Sequence, residues 1–166
     1  MKSIVLAGGC FWGVEAYFSQ LKGVLDTSVG YVDGNMRNPS YDQVCHGEAK
    51  HTEACQVFYD ENVISLEQIL DHFFRIINPF SINKQGHDIG RQYRSGIYLD
   101  DMSQEERIKS YMMTYFGADF PKVATKIHEN KDYDLAEAYH QDYLKKNPGG
   151  YCHVNLGLAT KEEVKS

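Results

Sequence analysis

The residues with the most chemical potential in this 166-residue chain are its four cysteines, Cys10, Cys45, Cys55 and Cys152. Cys10 follows Gly8-Gly9 and opens a segment in which Val14, Tyr17, Phe18 and Leu21 recur at helical spacing. A thiol at a helix's first turn faces unsatisfied backbone N–H groups and the positive end of the helix dipole. Both stabilise a thiolate, so Cys10 is expected to have a lowered pKa and to act as a nucleophile. The alternative is a buried cysteine that merely fills space beside a strand, and the strand-Gly-Gly-Cys-helix context favours the nucleophile. No two of the cysteines form a CxxC pair. His46 and His51 lie near Cys45 and Cys55, but not at the spacing of a zinc module, so no metal is expected. Cys45 and Cys55 read as packing residues.

The elements that must position Cys10 follow from pattern and punctuation. Ile4 to Ala7 reads as a buried strand stopped by the Gly-Gly turn, and Gly23 is placed to end the helix after it. Val24 to Val32 is β-branched and strand-like, and DGNMRNPS then supplies turn formers. Thr52 to Tyr59 is a third strand, with Glu53, Cys55, Val57 and Tyr59 on one face. Ser65 and Gln68 make a capping box for a helix whose stripe is Leu66, Ile69, Leu70, Phe73 and Ile77. Residues 80–93 are irregular and long enough to be a functional loop. Ser95 to Leu99 is a strand. Ser103 and Glu106 are expected to cap a third helix, Val123 to Ile127 to be an outer strand, and Leu135 to Lys145 a last helix. The order β-α-β-β-α-β with additions predicts a two-layer α/β (α+β) sandwich with a ferredoxin-like split βαβ core and a loop-rich, extended C-terminus.

Composition narrows the class. A chain of this length with 42% hydrophobic residues supports one core, so a single domain over residues 1–166 is expected, with 147–166 a mobile tail. Its net charge of −6 and lack of a dense basic run exclude a phosphate-backbone partner. The first residues do not form a secretory signal, and no run approaches a membrane span, so a cytoplasmic protein with reduced thiols is expected.

Four separated blocks resemble the methionine sulfoxide reductase A family. Gly9-Cys10-Phe11-Trp12-Gly13 matches its GCFWG signature. Gly30-Tyr31, Asn38-Pro39-Ser40-Tyr41, Val44-Cys45, Gly47, His51 and Glu53 resemble its second block. Gln85-Gly86-His87-Asp88, Gly90 and Gln92-Tyr93-Arg94-Ser95 resemble the third, and His140-Gln141, Tyr143-Leu144, Asn147-Pro148 and Gly150-Tyr151-Cys152 the fourth. The sequence departs from the family at Lys50, at Thr52 and at Asp33, where small residues are familiar, and it has no cysteine after Cys152.

The resemblance implies reduction of methionine S-sulfoxide, free or in oxidised proteins, by a monomer without a bound cofactor, recycled by thioredoxin or another dithiol. A sulfoxide has an electrophilic sulfur and a poor leaving oxygen, so its reduction needs a soft nucleophile, a proton and an apolar seat for the methyl group. Cys10 would attack, Glu53 would supply the proton, and Phe11 and Trp12 would hold the methyl. Tyr41 and Tyr93 resemble hydroxyls that bind the sulfoxide oxygen, and Asp88 a carboxylate that shapes the site. Cys152 would resolve the sulfenic acid on Cys10 as a disulfide. Two other classes fit the residues less completely. A cysteine hydrolase or acyltransferase would pair Cys10 with a histidine such as His140 and leave Cys152 without a purpose, and a redox-sensing thiol module would use Phe11 and Trp12 only for docking.

Overall fold

The computed structural model describes residues 1–166. Its elements run β1 (Lys2–Ala7), α1 (Phe11–Ser19), β2 (Val24–Val32), α2 (Tyr41–Cys45), β3 (Thr52–Tyr59), α3 (Leu66–Ile76), β4 (Lys84–Gln85), β5 (Asp88–Ile89), β6 (Gly96–Leu99), α4 (Glu105–Phe116), β7 (Lys126–Glu129), β8 (Asp134–Leu135) and α5 (Tyr143–Lys146). The six-stranded sheet has the order β7-β6-β1-β3-β2-β8. Its inner four strands are antiparallel neighbours, with β3 inserted between the parallel pair β1 and β2, which is the split βαβ core expected from the sequence.

Alternation along the strands divides the two sides of the sheet. Ile4 and Leu6 of β1, with Cys55, Val57 and Tyr59 of β3, join Val14, Tyr17 and Phe18 of α1 and Ile69, Leu70 and Phe73 of α3 in the main core. Val5, Ala7, Ala54 and Tyr98 pack on the opposite face. α3 has its capping box from Ser65 and Gln68. Glu53 shares its strand face with Cys55, which puts a carboxyl on the helix side of the sheet.

Four local expectations are corrected. The third helix is preceded by a 3₁₀ turn over Met102–Gln104, and the cap is Asp101, whose carboxylate accepts the Ser103 N–H, rather than Ser103 itself. The outer strand starts later, at Lys126, because the Ala124 and Thr125 N–H groups are taken by the Pro79 carbonyl while Val123 turns into the core. The last helix is broken. Asp134–Leu135 pairs with Gly30–Tyr31 of β2, Ala138–His140 is a 3₁₀ turn, and only Tyr143–Lys146 is α-helical. Two buried groups dictate this. The Gln141 amide bonds both the N–H and the carbonyl of Val29, standing in for a strand residue, and Asp142 takes a left-handed φ of 52° to donate its N–H to buried Glu15 at 2.7 Å. Finally, the turn-rich stretch before β3 contains the unexpected short helix α2, closed by a Ser40–Gln43 capping box.

The 147–166 segment is held to the body at its far end. Arg75 of α3 pairs with the Glu163 carboxylate at 2.8 Å, and Lys22 and Lys165 exchange backbone bonds with Glu163 and Gln20. Val154 is buried in the main core. No helix is long and apolar enough to cross a membrane.

Candidate active site

Cys10 is the N-cap of α1, 7% exposed, with φ −55° and ψ 122°. The tight turn before it requires Gly9 at φ 89°, where a side chain would strike Gln85. The amide N–H groups of Trp12 and Gly13 face its sulfur and favour the thiolate, as expected for a helix terminus. They do not prevail. Burial, and then the Glu53 carboxylate, push the thiol above its ordinary range, because two amides return less than the hydration a thiolate loses at this buried position. The lowered pKa expected from the helix terminus is therefore outweighed by burial.

Glu53 stands opposite Tyr31 in the β2–β3 register and is 1% exposed. Its Oε1 accepts the Phe11 N–H at 3.2 Å, and its Oε2 has no partner. Burial, reinforced by Asp88 and opposed by the Phe11 bond, raises its pKa to about 8. At neutral pH the group is therefore mostly a carboxylic acid with its proton on the unpartnered oxygen. Neutralising Glu53 also removes the charge that disfavours the Cys10 thiolate, so the two ionisations are linked.

Aromatic residues build one wall. Phe11 is 1% exposed and packs on Tyr31 and His140, with ring centroids 5.7 and 5.1 Å away. Trp12 is half-buried, stacks on Tyr143 at 3.8 Å and 11°, and donates its indole N–H to His140 Nδ1 at 3.0 Å. Tyr41 lies 4.6 Å from the His140 ring. Of the two residues expected to hold a methyl group, Trp12 is the more open and Phe11 is buried. Burial and the Glu53 charge raise the hydroxyls of both Tyr41 and Tyr93, and Tyr93 also feels Asp88 and Cys10. Both hydroxyls thus lie within the field of the same carboxyl. Tyr93 is held by Thr52, whose hydroxyl reaches the carbonyls of Gln92 at 3.0 Å and Arg94 at 2.8 Å.

His140 cannot serve Cys10 as a base in this arrangement. Indole is only a donor, so the Nδ1 it meets carries the lone pair and the proton sits on Nε2. The basic nitrogen is already engaged. Burial also lowers the His140 pKa, which keeps the ring neutral.

Cys152 lies across the first turn of α1. A Cβ added at Gly13 would stand 3.2 Å from its sulfur, and Gly13 is one helical turn beyond Cys10. The Cys152 thiol bonds the Val154 carbonyl at 3.1 Å, and the Tyr151 hydroxyl bonds Asp88 at 3.2 Å. All four cysteines are free thiols. Cys55 is buried in the main core, whereas Cys45 lies beside Tyr41, and burial, with a smaller push from the Glu53 charge, raises its thiol. No group of three His, Cys, Asp or Glu side chains is arranged to hold a metal ion. The sequence marked Gly13 and Tyr143 only as motif positions and gave no signal for His153. Trp12–Tyr143 stacking and the seat of His153 depend on distant segments meeting, which no local pattern reveals.

The chain is similar to known proteins over nearly its whole length. A family model described as peptide methionine sulfoxide reductase matches residues 2–166. The peptide methionine sulfoxide reductase MsrA of Ureaplasma urealyticum serovar 10 is 52% identical over 161 residues, which cover 97% of this chain and 98% of that protein. The crystal structure of Mxr1 from Saccharomyces cerevisiae in reduced form superposes with a TM-score of 0.86 at 38% identity, covering 93% of this chain and 91% of that one. Mxr1 in complex with Trx2 matches with a TM-score of 0.59 at 26% identity, covering 86% of this chain and 84% of the other.

Proposed function

The chain belongs to the peptide methionine sulfoxide reductase family, and we propose that it reduces methionine S-sulfoxide, free or peptide-bound, through Cys10, Glu53 and Cys152. The observation that carries this reading is the convergence on one helical turn of a thiol, a carboxyl with an unpartnered oxygen, and a second thiol. Substrate enters against Trp12, with its oxygen toward Glu53 and the hydroxyls of Tyr41 and Tyr93. Asp88 shapes the site through its charge on Glu53 and its bond to Tyr151.

In the first step the Cys10 sulfur attacks the sulfoxide sulfur, and Glu53 delivers a proton to the oxygen. The sulfur–sulfur bond so formed and the sulfur–oxygen bond of the substrate then break as the hydroxyl passes to Cys10, and the proton of the Cys10 thiol replaces the one given up by Glu53. Methionine leaves and Cys10 becomes a sulfenic acid. In the second step the Cys152 thiolate attacks the Cys10 sulfur, a disulfide forms, and the oxygen departs as water after protonation. An external dithiol then returns both cysteines to thiols. Thioredoxin is the partner we assign, supported by the relative solved in complex with Trx2. Residues 1–166 act as one domain and one monomer, with 147–166 the segment that carries the resolving thiol.

The reading is tested by exposing the reduced protein, without any reductant, to resolved S and R epimers of a blocked methionine sulfoxide. About one equivalent of methionine derivative from the S epimer alone supports it. Product from neither epimer, with Cys10 still open to alkylation, contradicts it.

A further inference from the structure

The residue after the second thiol occupies an unusual place. The His153 imidazole is 5% exposed and lies over the backbone around Cys10. A Cβ at Gly9 would stand 2.9 Å from its Nε2, and a Cβ at Gly13 would stand 3.3 Å from its Nδ1. The ring therefore spans the two glycines that flank the Cys10-Phe11-Trp12 turn, and only residues without side chains leave room for it. Nε2 donates to the Gly8 carbonyl at 3.0 Å, one residue before the turn. Nδ1 is buried without a hydrogen-bond partner and faces the Asp88 carboxylate 4.0 Å away, too far for a hydrogen bond. Asp88 in turn accepts from Tyr151 at 3.2 Å. Cys152 is thus bracketed by two side chains, one anchored to the Asp88 loop and the other to the strand end that carries Cys10.

We propose that His153 is a positioning residue for resolution, whose Nε2–H bond to the Gly8 carbonyl seats Cys152 over the first turn of α1 within reach of oxidised Cys10. The bond joins the two segments that must meet when the disulfide forms. Residue 153 is chain-adjacent to the attacking sulfur, and Gly8 is two residues from the sulfur attacked, so this contact bears directly on their separation. No hydrogen bond joins His153 to Glu53 or to the Trp12 wall, so the first step is expected to proceed without it. This inference rests on the two-thiol mechanism above.

The test separates the two steps in single turnover on the full chain, with blocked methionine S-sulfoxide and no reductant. Methionine release reads the first step. Mass spectrometry of the disulfide, and of sulfenic acid trapped with dimedone, reads the second. His153→Ala is expected to release methionine within about twofold of the parent rate while forming the disulfide about tenfold more slowly, the scale of one lost buried bond, with trapped sulfenic acid rising. His153→Gln, whose amide nitrogen reaches the same place as Nε2, is expected to recover most of the disulfide rate. The proposal is overturned if His153→Ala closes the disulfide at the parent rate, if both steps slow equally, or if His153→Gln is as slow as His153→Ala. Failure of the parent protein itself to release methionine would instead strike the underlying mechanism.

Discussion

The Phe11 amide donates to Glu53 Oε1 at 3.2 Å, so the first N–H of the helix that carries the nucleophile holds one oxygen of the carboxyl and leaves the other without a partner. This single bond fixes which oxygen carries the proton. It also ties the strand β3 to the turn before α1, and so sets how the acid and the thiol approach a shared substrate.

Activity should follow the protonated form of Glu53. With its pKa raised to about 8, the acid is present at neutral pH and is lost as pH rises through that value, so the rate of methionine release falls on the alkaline side. Glu53→Gln should lower that rate by roughly 10²–10⁴ and abolish the alkaline limb assigned to this group. Its effect on stability has the opposite sense. A raised folded-state pKa means that ionisation disfavours the fold progressively from the unfolded carboxyl value up to about 8. The stability of Glu53→Gln relative to the parent should therefore improve across that window, as read by denaturant titration at several pH values.

Gly13→Ala should separate folding from catalysis. Alanine favours the helical backbone over glycine, by up to about 1 kcal/mol in a helix interior and less in a first turn. Its methyl group, however, would lie 3.0 Å from Val154 Cγ2 and 3.2 Å from the Cys152 sulfur, so the 152–154 segment must shift. The expected outcome is slower closure of the disulfide, by about tenfold, with the release of the first methionine little changed. Stopped-flow release and quenched mass analysis distinguish the two.

Thr52 should act through Tyr93. Removing its hydroxyl in Thr52→Ala frees the carbonyls of Gln92 and Arg94, the residues on either side of Tyr93. A bond of this kind is worth about 1 kcal/mol, so KM for the sulfoxide should rise several-fold if the tyrosine hydroxyl binds substrate. An unchanged KM would mean that Tyr93 is placed by other contacts. Asp33, the other departure in this neighbourhood, takes a left-handed φ of 63° and accepts from Tyr98 at 3.0 Å, which explains how a residue other than glycine is accommodated there.

The sequence made the core legible because each inner element is amphipathic on its own period. The strand alternation that set Glu53 beside Cys55, and the capping box at Ser65, both reappear in the structure. What escaped is decided by contacts between distant residues. The region from Leu135 to Lys145 has helical composition, yet Gln141 is drawn to Val29 and Asp142 to Glu15, and no window of local sequence contains those partners. The same holds in the site. The glycines before Cys10 announced a tight turn, but the ionisation of Cys10 is governed by burial and by Glu53, which lies in another strand. The helix terminus is present, but its pull on the thiolate is weaker than the cost of burial.

The most direct measurement maps the disulfide formed when the reduced protein and its Cys152→Ser variant each meet one equivalent of blocked methionine S-sulfoxide. The parent should yield a single Cys10–Cys152 disulfide, and Cys152→Ser should release the same equivalent of methionine while holding a trappable sulfenic acid on Cys10. A disulfide from Cys10 to Cys45, or methionine release that survives Cys10→Ser, would contradict the account.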